Sequence, residues 1–265
     1  MKQIAKRALI ASLLAIPISA KADILYAINH GILTRIDTDT LTATPIGDTG
    51  IFSIAGIDFG PDGQMYGIAP DTREFIQIDV TTAEVSVVGS LGISMSRGTG
   101  LGWDHTTGTM YTVAKLTASS PDLLSTIDMT TGTATVVAEV QGIGGSSLYG
   151  LDFDTVGNLY GVQGRENGYQ LWAIDKHNAS TVAVGDESLP AIGAFTITPS
   201  GTAWVLEAPG YLYSVDLENG NTTEHGLVSG IVKGRFGFGA LTSIPTPSGA
   251  SVLAAGVLLA TRRKR

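Results

Sequence analysis

One short unit is written five times along the middle of this chain, and this repetition restricts the fold more than any other feature of the sequence. Each unit has an aromatic residue within an apolar run and an Ile-Asp or Val-Asp step 11 to 17 residues later. The aspartates, separated by 42, 49, 47 and 41 residues, are Asp37, Asp79, Asp128, Asp175 and Asp216. The aromatic residues are Tyr26, Tyr66, Tyr111, Tyr160 and Trp204. A period of about 40 to 50 residues is typical of proteins built from repeated supersecondary units.

The pattern within each unit predicts β-strands. Short runs of β-branched and aromatic residues are separated by turn residues such as the Gly-Pro-Asp-Gly at 60–63. A leading run precedes the aromatic residue in four units, at 56–59, 100–103, 150–153 and 194–197, and each begins with Gly or Ala. Small residues are needed where several strands converge on one axis. Four strands per unit therefore predict an all-β propeller with one unit per blade.

The two ends of the repeated region are expected to complete each other. The first unit lacks a leading strand, and residues 238–243 after the fifth unit match the missing one. We therefore expect this C-terminal strand to pair with the strand that contains Tyr26, so that the ring has no open edge at this point. The prediction is a five-bladed β-propeller over residues 23–243. A six-bladed ring or an open sandwich would need a sixth repeat, which the sequence does not contain.

Charge and composition exclude several classes of partner. The region 23–243 contains eight basic residues and all 24 acidic residues, a formal charge of −16. Such a surface repels nucleic acid and anionic membranes. The sequence contains no cysteine, so the fold is expected to rely on its core rather than on disulfides. No cofactor-binding motif is present, and no cofactor is expected.

The first 22 residues predict a secretory signal peptide. A basic start is followed by an apolar stretch over 8–18 and by the Ala-x-Ala cleavage pattern of Ala20 and Ala22. The alternative is an amphipathic helix that belongs to the fold. A signal peptide would make this an exported protein whose mature chain begins near Asp23.

The last 22 residues, 244–265, have the pattern of a sorting or anchoring segment. Pro245, Thr246 and Pro247 precede an apolar run, and four basic residues close the chain. The run at 248–261 would form about 21 Å of helix, which is short against a hydrocarbon core of about 30 Å. The basic end is expected to hold the C-terminus in the cytoplasm while the body is exported.

This tail resembles the PEP-CTERM sorting domain, and the body resembles uncharacterised secreted bacterial β-propellers. The resemblance of the tail implies transient membrane anchoring in a Gram-negative bacterium, processing by an exosortase, and delivery to the outer surface or to an exopolysaccharide matrix. Thr246 stands where that family has glutamate. The alternative is a plain C-terminal membrane anchor. The body motifs are structural and imply no activity.

Loop lengths predict which end of the propeller binds a ligand. The loops between second and third strands and between blades share one end, which we call the variable rim because their lengths differ. The remaining loops share the opposite end, the turn rim. Variable loops on one face of a repeat protein usually mark its binding face. Six of the eight basic residues of the body lie on the variable rim, near two tyrosines. The candidate binding residues are Arg73, Arg97, Lys115, Arg165, Tyr169, Tyr211, Lys233 and Arg235.

Asp58 and Asp152 are candidates for a second kind of site. They share one column of the leading strands with Gly102, Thr196 and Thr242. Carboxylates near the axis can hold a cation or ordered water. The alternative is that they accept hydrogen bonds from backbone N–H groups of neighbouring blades.

These observations favour a non-catalytic surface or matrix protein that binds a polar polymer such as a polysaccharide. The alternative is a polysaccharide hydrolase or lyase that uses the same rim. A glycosidase needs two carboxyl groups about 5 to 9.5 Å apart, and the sequence does not place Glu166, Glu187 or Glu207 that finely. A third possibility is a structural coat component without a binding site. No nucleophile or metal motif is present, and no catalytic residue is predicted.

Overall fold

The computed structural model describes residues 22–93, 97–117, 119–144, 147–165, 168–190, 192–207, 210–231 and 240–244. At 97–99, 165, 188 and 192 it describes the backbone alone. The predicted signal peptide, 1–22, and the predicted sorting segment, 244–265, lie outside the described residues except for Ala22 and Ile244. The described part contains no helix long and apolar enough to cross a membrane.

Twenty strands form five antiparallel sheets of four strands each. The first blade contains β1 (Ile24–Asn29), β2 (Ile32–Asp37), β3 (Thr42–Asp48) and β20 (Ala240–Ser243). The second contains β4 (Gly56–Phe59), β5 (Met65–Ala69), β6 (Glu74–Ile78) and β7 (Val85–Ser90). The third contains β8 (Arg97–Asp104), β9 (Thr109–Lys115), β10 (Asp122–Ile127) and β11 (Ala134–Glu139). The fourth contains β12 (Leu148–Phe153), β13 (Leu159–Arg165), β14 (Gly168–Ile174) and β15 (Thr181–Leu189). The fifth contains β16 (Ile192–Ile197), β17 (Ala203–Glu207), β18 (Tyr211–Val215) and β19 (Thr222–Leu227).

The all-β prediction and the five blades are confirmed. Each predicted leading run lies in the innermost strand of its blade, which is β4, β8, β12 or β16. β4 and β5 are buried throughout, whereas the outer strand β7 contains only exposed and half-buried residues. The reason is that a central strand of a propeller is covered by blades on both sides, while the outermost strand has one solvated face.

The predicted closure of the ring is also confirmed. β20 pairs antiparallel with β1, and Thr242 lies opposite Tyr26. β20 also lies between β16 of the fifth blade and β4 of the second. The backbone N–H of Ile244 donates to the carbonyl oxygen of Ile24 at 3.3 Å, so the described chain ends lie side by side.

Close packing at the axis explains the small residues that begin the innermost strands. A Cβ on Gly100 would lie 2.6 Å from the Cβ of Leu151, and one on Gly56 would lie 2.8 Å from the backbone nitrogen of Leu101. Both separations are shorter than real Cβ contacts. Larger side chains at these positions would therefore push neighbouring blades apart.

Candidate functional site

The repeated aspartates of the turn rim organise turns, as the sequence predicts. The Oδ1 atom of Asp79 accepts hydrogen bonds from the backbone N–H groups of Thr81 at 2.7 Å and Thr82 at 3.2 Å. Hydrogen bonds from the Thr81 hydroxyl and backbone hold the pKa of Asp79 below its usual value. Equivalent backbone bonds to the next turn residues are made by Asp37, Asp128, Asp175 and Asp216. These carboxylates are therefore occupied by local structure.

At the axis, Asp58 joins three blades. Its Oδ2 atom accepts the backbone N–H of Trp103 in the third blade at 2.6 Å. Its Oδ1 atom accepts the hydroxyl of Thr242 in the first blade and the backbone N–H of Phe59, both at 2.7 Å. This carboxyl group therefore holds neighbouring innermost strands together.

Asp152 makes the corresponding bonds between the fourth and fifth blades. Its Oδ2 atom accepts the hydroxyl of Thr196 and the backbone N–H of Ile197, both at 2.7 Å. Its Oδ1 atom accepts the backbone N–H of Phe153 at 2.7 Å. The predicted alternative, hydrogen bonds to backbone N–H groups of adjacent blades, is thus present at both Asp58 and Asp152.

Burial changes the titration of this pair. Desolvation raises the pKa of Asp58 to about 6, although three hydrogen bonds act in the opposite direction. Desolvation and then the charge of Asp58 raise the pKa of Asp152 well above its usual value. Across the part of the chain that the structure describes, no group of three or more His, Cys, Asp or Glu residues is arranged to hold a metal ion. The pair alone offers a metal few ligands.

A cavity of about 430 Å³ opens where the innermost strands end on the turn rim, and we call it the axial cavity. It is lined by the last residue of β4, β12, β16 and β20 and by Trp103, the last but one of β8, so the five blades all contribute to its wall. Its lining residues are Asp58, Phe59, Trp103, His105, Asp152, Phe153, Asp154, Thr155, Ile197, Thr198, Pro199 and Ser243. This volume is within the range of pockets that bind small molecules.

At the variable rim, by contrast, the axis is nearly closed. The space between the starts of the innermost strands has a volume of about 10 Å³. Ile57, Leu101, Leu151, Phe195 and Leu241 are among its lining residues. Such a space is barely large enough for one water molecule. Any ligand at this end must therefore bind on the surface of the rim.

The predicted binding residues of the variable rim are placed as follows. Arg73 is exposed in the loop between β5 and β6, and its backbone φ is 59°. Tyr169 and Tyr211 are half-buried at the rim ends of β14 and β18. The backbones of Arg97 and Arg165 lie in β8 and β13, but their side chains are outside the described residues. Lys233 and Arg235 are also outside them.

Lys115 lies inside the protein rather than on its surface. Only 3% of the residue is exposed, and it pairs in register with Asp122 on the neighbouring strand. Burial raises the pKa of Asp122 to about 6, and the charge of Lys115 partly opposes this shift. The lysine therefore interacts with a buried carboxyl group, a position that sequence spacing alone does not indicate.

Exposed aromatic residues on the variable rim were missed by the sequence analysis. The rings of Tyr149 and Tyr169 lie 6.3 Å apart, and Tyr149 is 37% exposed. Phe52 is 72% exposed, and its ring stacks on His30 with centroids 4.8 Å apart. Tyr149 follows a glycine and serine run, and this was the only local signal. The variable rim thus carries more aromatic surface than Tyr169 and Tyr211 alone suggest.

Of the glutamates considered for catalysis, Glu207 accepts the hydroxyl of Tyr213 at 3.0 Å. Glu187 is half-buried in β15, and Glu166 is outside the described residues.

Five four-stranded blades around an axis define this protein as a β-propeller. No protein-family model and no curated protein matches the chain. Among similar solved structures is a chain of a nidogen/laminin complex, with 13% identity, a TM-score of 0.56, and coverage of 84% of this chain and 98% of that one. Another comes from work on the de novo evolutionary emergence of a symmetrical protein, with 19% identity, a TM-score of 0.57, and coverage of 84% and 100%. At these identities the likeness concerns the fold alone.

Proposed function

We propose that this protein is an exported, non-catalytic binding propeller of the bacterial cell surface or extracellular matrix, and that its ligand is a polysaccharide. The β-propeller fold is consistent with a binding or structural role. The signal-peptide pattern before Asp23 supports export. The likeness of the tail to PEP-CTERM segments supports processing by an exosortase-type enzyme and association with exopolysaccharide.

The observation that carries this proposal is the Tyr149–Tyr169 pair on the variable rim. Both rings flank Gly164, where a Cβ would lie 3.4 Å from Tyr169 and 3.6 Å from Tyr149. Gly164 itself has no side chain that could lie against the two rings. Aromatic faces of this kind stack on sugar rings, while the hydroxyl groups provide polar contacts.

Basic residues on the same rim would add affinity for acidic sugars. Arg165 ends the strand that contains Gly164, and Tyr169 lies opposite Gly164 in the register of β13 and β14. Guanidinium groups donate paired hydrogen bonds to carboxylates and hydroxyls. Binding through such contacts weakens as salt is added.

Paired substitutions on the two rims test this site. We expect Arg165→Ala with Tyr169→Ala to weaken binding to matrix polysaccharide about tenfold, since a stacked ring and a charged donor are both lost. Tyr169→Phe keeps the ring and is expected to bind nearly as well as the wild type. Asp79→Asn on the turn rim is the control. Affinity electrophoresis at several salt concentrations measures the effect, and wild-type mobility of the double variant would place the site elsewhere.

Export and processing are tested separately. We expect mass spectrometry of the surface form to show a chain that begins near Asp23 and ends close to Pro247. A surface form that still carries Arg265 would instead indicate a retained membrane anchor.

A catalytic role is the second candidate, because Asp58 and Asp152 are carboxyl groups with raised pKa values beside a cavity. Glycosidases use such pairs. Against this role, all four carboxyl oxygens accept structural hydrogen bonds from neighbouring strands. We expect the protein to leave a panel of chromogenic glycosides intact, and turnover that Asp152→Asn abolishes would reverse this conclusion.

A further inference from the structure

The axial cavity is independent of the variable rim and has a chemistry of its own. Its walls include the aromatic residues Phe59, Trp103 and Phe153 from three consecutive blades. Trp103 is half-buried, whereas the two phenylalanines are buried. Asp58 and Asp152 flank the strand that carries Trp103. The rings of Phe59 and Phe153 pack against Tyr26 and Tyr111 in the core, so Trp103 is the partly accessible ring beside the two carboxyl groups.

The charged groups that face the cavity are nearly all acidic. Asp58, Asp152 and Asp154 contribute carboxyl groups, and the only basic type is His105, whose Nε2 atom lies 3.0 Å from the carbonyl oxygen of Thr155. Among the described residues, none that lines the cavity is a lysine or an arginine. Anionic ligands would therefore be repelled.

Lys176, a basic residue close to the Phe153 ring, is already paired. Lys176 lies 5.5 Å from the centre of the Phe153 ring, but its ammonium group forms an ion pair with the buried Asp104. It also donates to the carbonyl oxygen of Gly157 at 3.0 Å. Lys176 therefore compensates Asp104 rather than the carboxyl groups at the axis.

We infer that the axial cavity binds a small organic cation, with an alkylammonium group placed against Trp103 and beside Asp58 and Asp152. Aromatic faces and carboxylates are the two groups that attract ammonium ions in proteins. An inorganic cation fits less well, because the carboxyl oxygens already accept hydrogen bonds and the remaining lining is largely aromatic and aliphatic.

Proton release gives this inference a specific signature. The pKa values of Asp58 and Asp152 are raised because burial disfavours their charged forms. A bound cation would favour the charged forms and lower both pKa values, so binding should expel protons. Affinity should consequently rise with pH from about 5 to about 8. A neutral ligand would produce little of either effect.

The first experiment compares choline with its uncharged carbon isostere, dimethylbutanol, by calorimetry of the purified protein. We expect choline to bind at least about tenfold more tightly, because only the cation interacts with the ring and the carboxylates. The apparent enthalpy should change between buffers of different ionisation enthalpy, which reports released protons. Equal affinity for the two compounds, or choline binding without proton release, would overturn the inference.

Two variants locate the site, each with a matched control. Trp103→Leu is expected to lower choline affinity about fivefold, whereas Phe52→Leu on the variable rim should leave it unchanged. Asp58→Asn is expected to reduce proton release, whereas Asp186→Asn at an exposed strand position should not. If Asp58→Asn fails to fold, the Trp103 pair and the wild-type pH dependence still decide the question. Unchanged binding by a folded Trp103→Leu protein would exclude this cavity.

Discussion

The pKa values of aspartates in this protein are shifted in opposite directions because the surroundings of these residues differ. Asp79 is exposed and accepts three hydrogen bonds, so its pKa is lowered. Asp58 also accepts three, but burial outweighs them and raises its pKa. The repeat predicts that Asp79 accepts hydrogen bonds in its turn, and for Asp58 it offers hydrogen bonding between blades as the alternative to a cation site. The sequence does not predict whether the pKa is raised or lowered, because burial depends on how closely the blades pack.

Gly89 tests the packing of one blade on the next. It lies in β7, and a Cβ here would fall well inside van der Waals contact of the carbonyl oxygen of Thr131 in the following blade. We expect Gly89→Ala to lower the free energy of unfolding by about 3 kcal/mol, because a backbone atom cannot move aside cheaply. Chemical denaturation measures the loss.

Gly164→Ala is the matched control for Gly89→Ala. Its Cβ would make ordinary contacts at 3.4 Å with a tyrosine ring. It should therefore cost less than about 1 kcal/mol. A Gly89→Ala protein as stable as this control would mean that the blades are packed less tightly than described.

At the scale of elements, the sequence predicts strands and closure well and the axial cavity not at all. The repeat period predicts the number of blades, and the missing leading strand of the first unit predicts the pairing of β20 with β1. The sequence does not predict the cavity wall. Five equivalent positions of the repeat form this wall, and they are occupied by Phe59, Trp103, Phe153, Ile197 and Ser243. These residues share no chemical type, and only convergence of the strands makes them one surface. The burial of Lys115 beside Asp122 is not predicted either, because it also depends on how the strands pack.

Deletion of β20 tests the closure of the ring. Without these residues, the buried edge of β1 loses its backbone partners and Asp58 loses the hydroxyl of Thr242. An exposed edge strand recruits other chains, so we expect dimers or aggregates and a lowered melting temperature. Light scattering and thermal denaturation measure both.

A chain that ends after Ile244 retains β20 and is the control for this deletion. It should remain monomeric with the melting temperature of the full chain. A monomeric protein with unchanged melting after loss of β20 would contradict the closure.

At the scale of the whole molecule, the two classes of aspartate predict an unusual dependence of stability on pH. Asp58, Asp122 and Asp152 have raised pKa values, so they stabilise the fold fully below the unfolded value of 3.8. The contribution of Asp58 and Asp122 is lost as pH rises through about 6, and that of Asp152 is lost as pH rises through its own raised pKa. Turn aspartates such as Asp79 and Asp128 have lowered pKa values. Their contribution is present above 3.8 and is lost as pH falls.

The free energy of unfolding should therefore be greatest at about pH 4 to 5. We expect the melting temperature to be about 10 °C lower at pH 7.5 than at this maximum, because a shift of two pKa units in one such group corresponds to about 3 kcal/mol. Scanning calorimetry across this range measures the profile. Asp58→Asn should flatten its decline towards neutral pH, whereas Asp186→Asn should leave the profile unchanged. Stability that rises steadily to pH 7.5 would contradict the assignment.

The first and last strands of the propeller end side by side, and this determines how a tethered molecule would be oriented. Asp23 and Ile244 both lie at the turn rim, where Ser243 lines the axial cavity. A tether attached at either residue would therefore hold the protein by its turn rim. The variable rim would then point away from the tethering surface, where a long polymer has free approach. The axial cavity would face the narrow gap beneath the molecule, which small solutes enter by diffusion and large ones do not. The protein would thus bind long polymers on its outward face, while only small molecules would reach the axial cavity on its inward face.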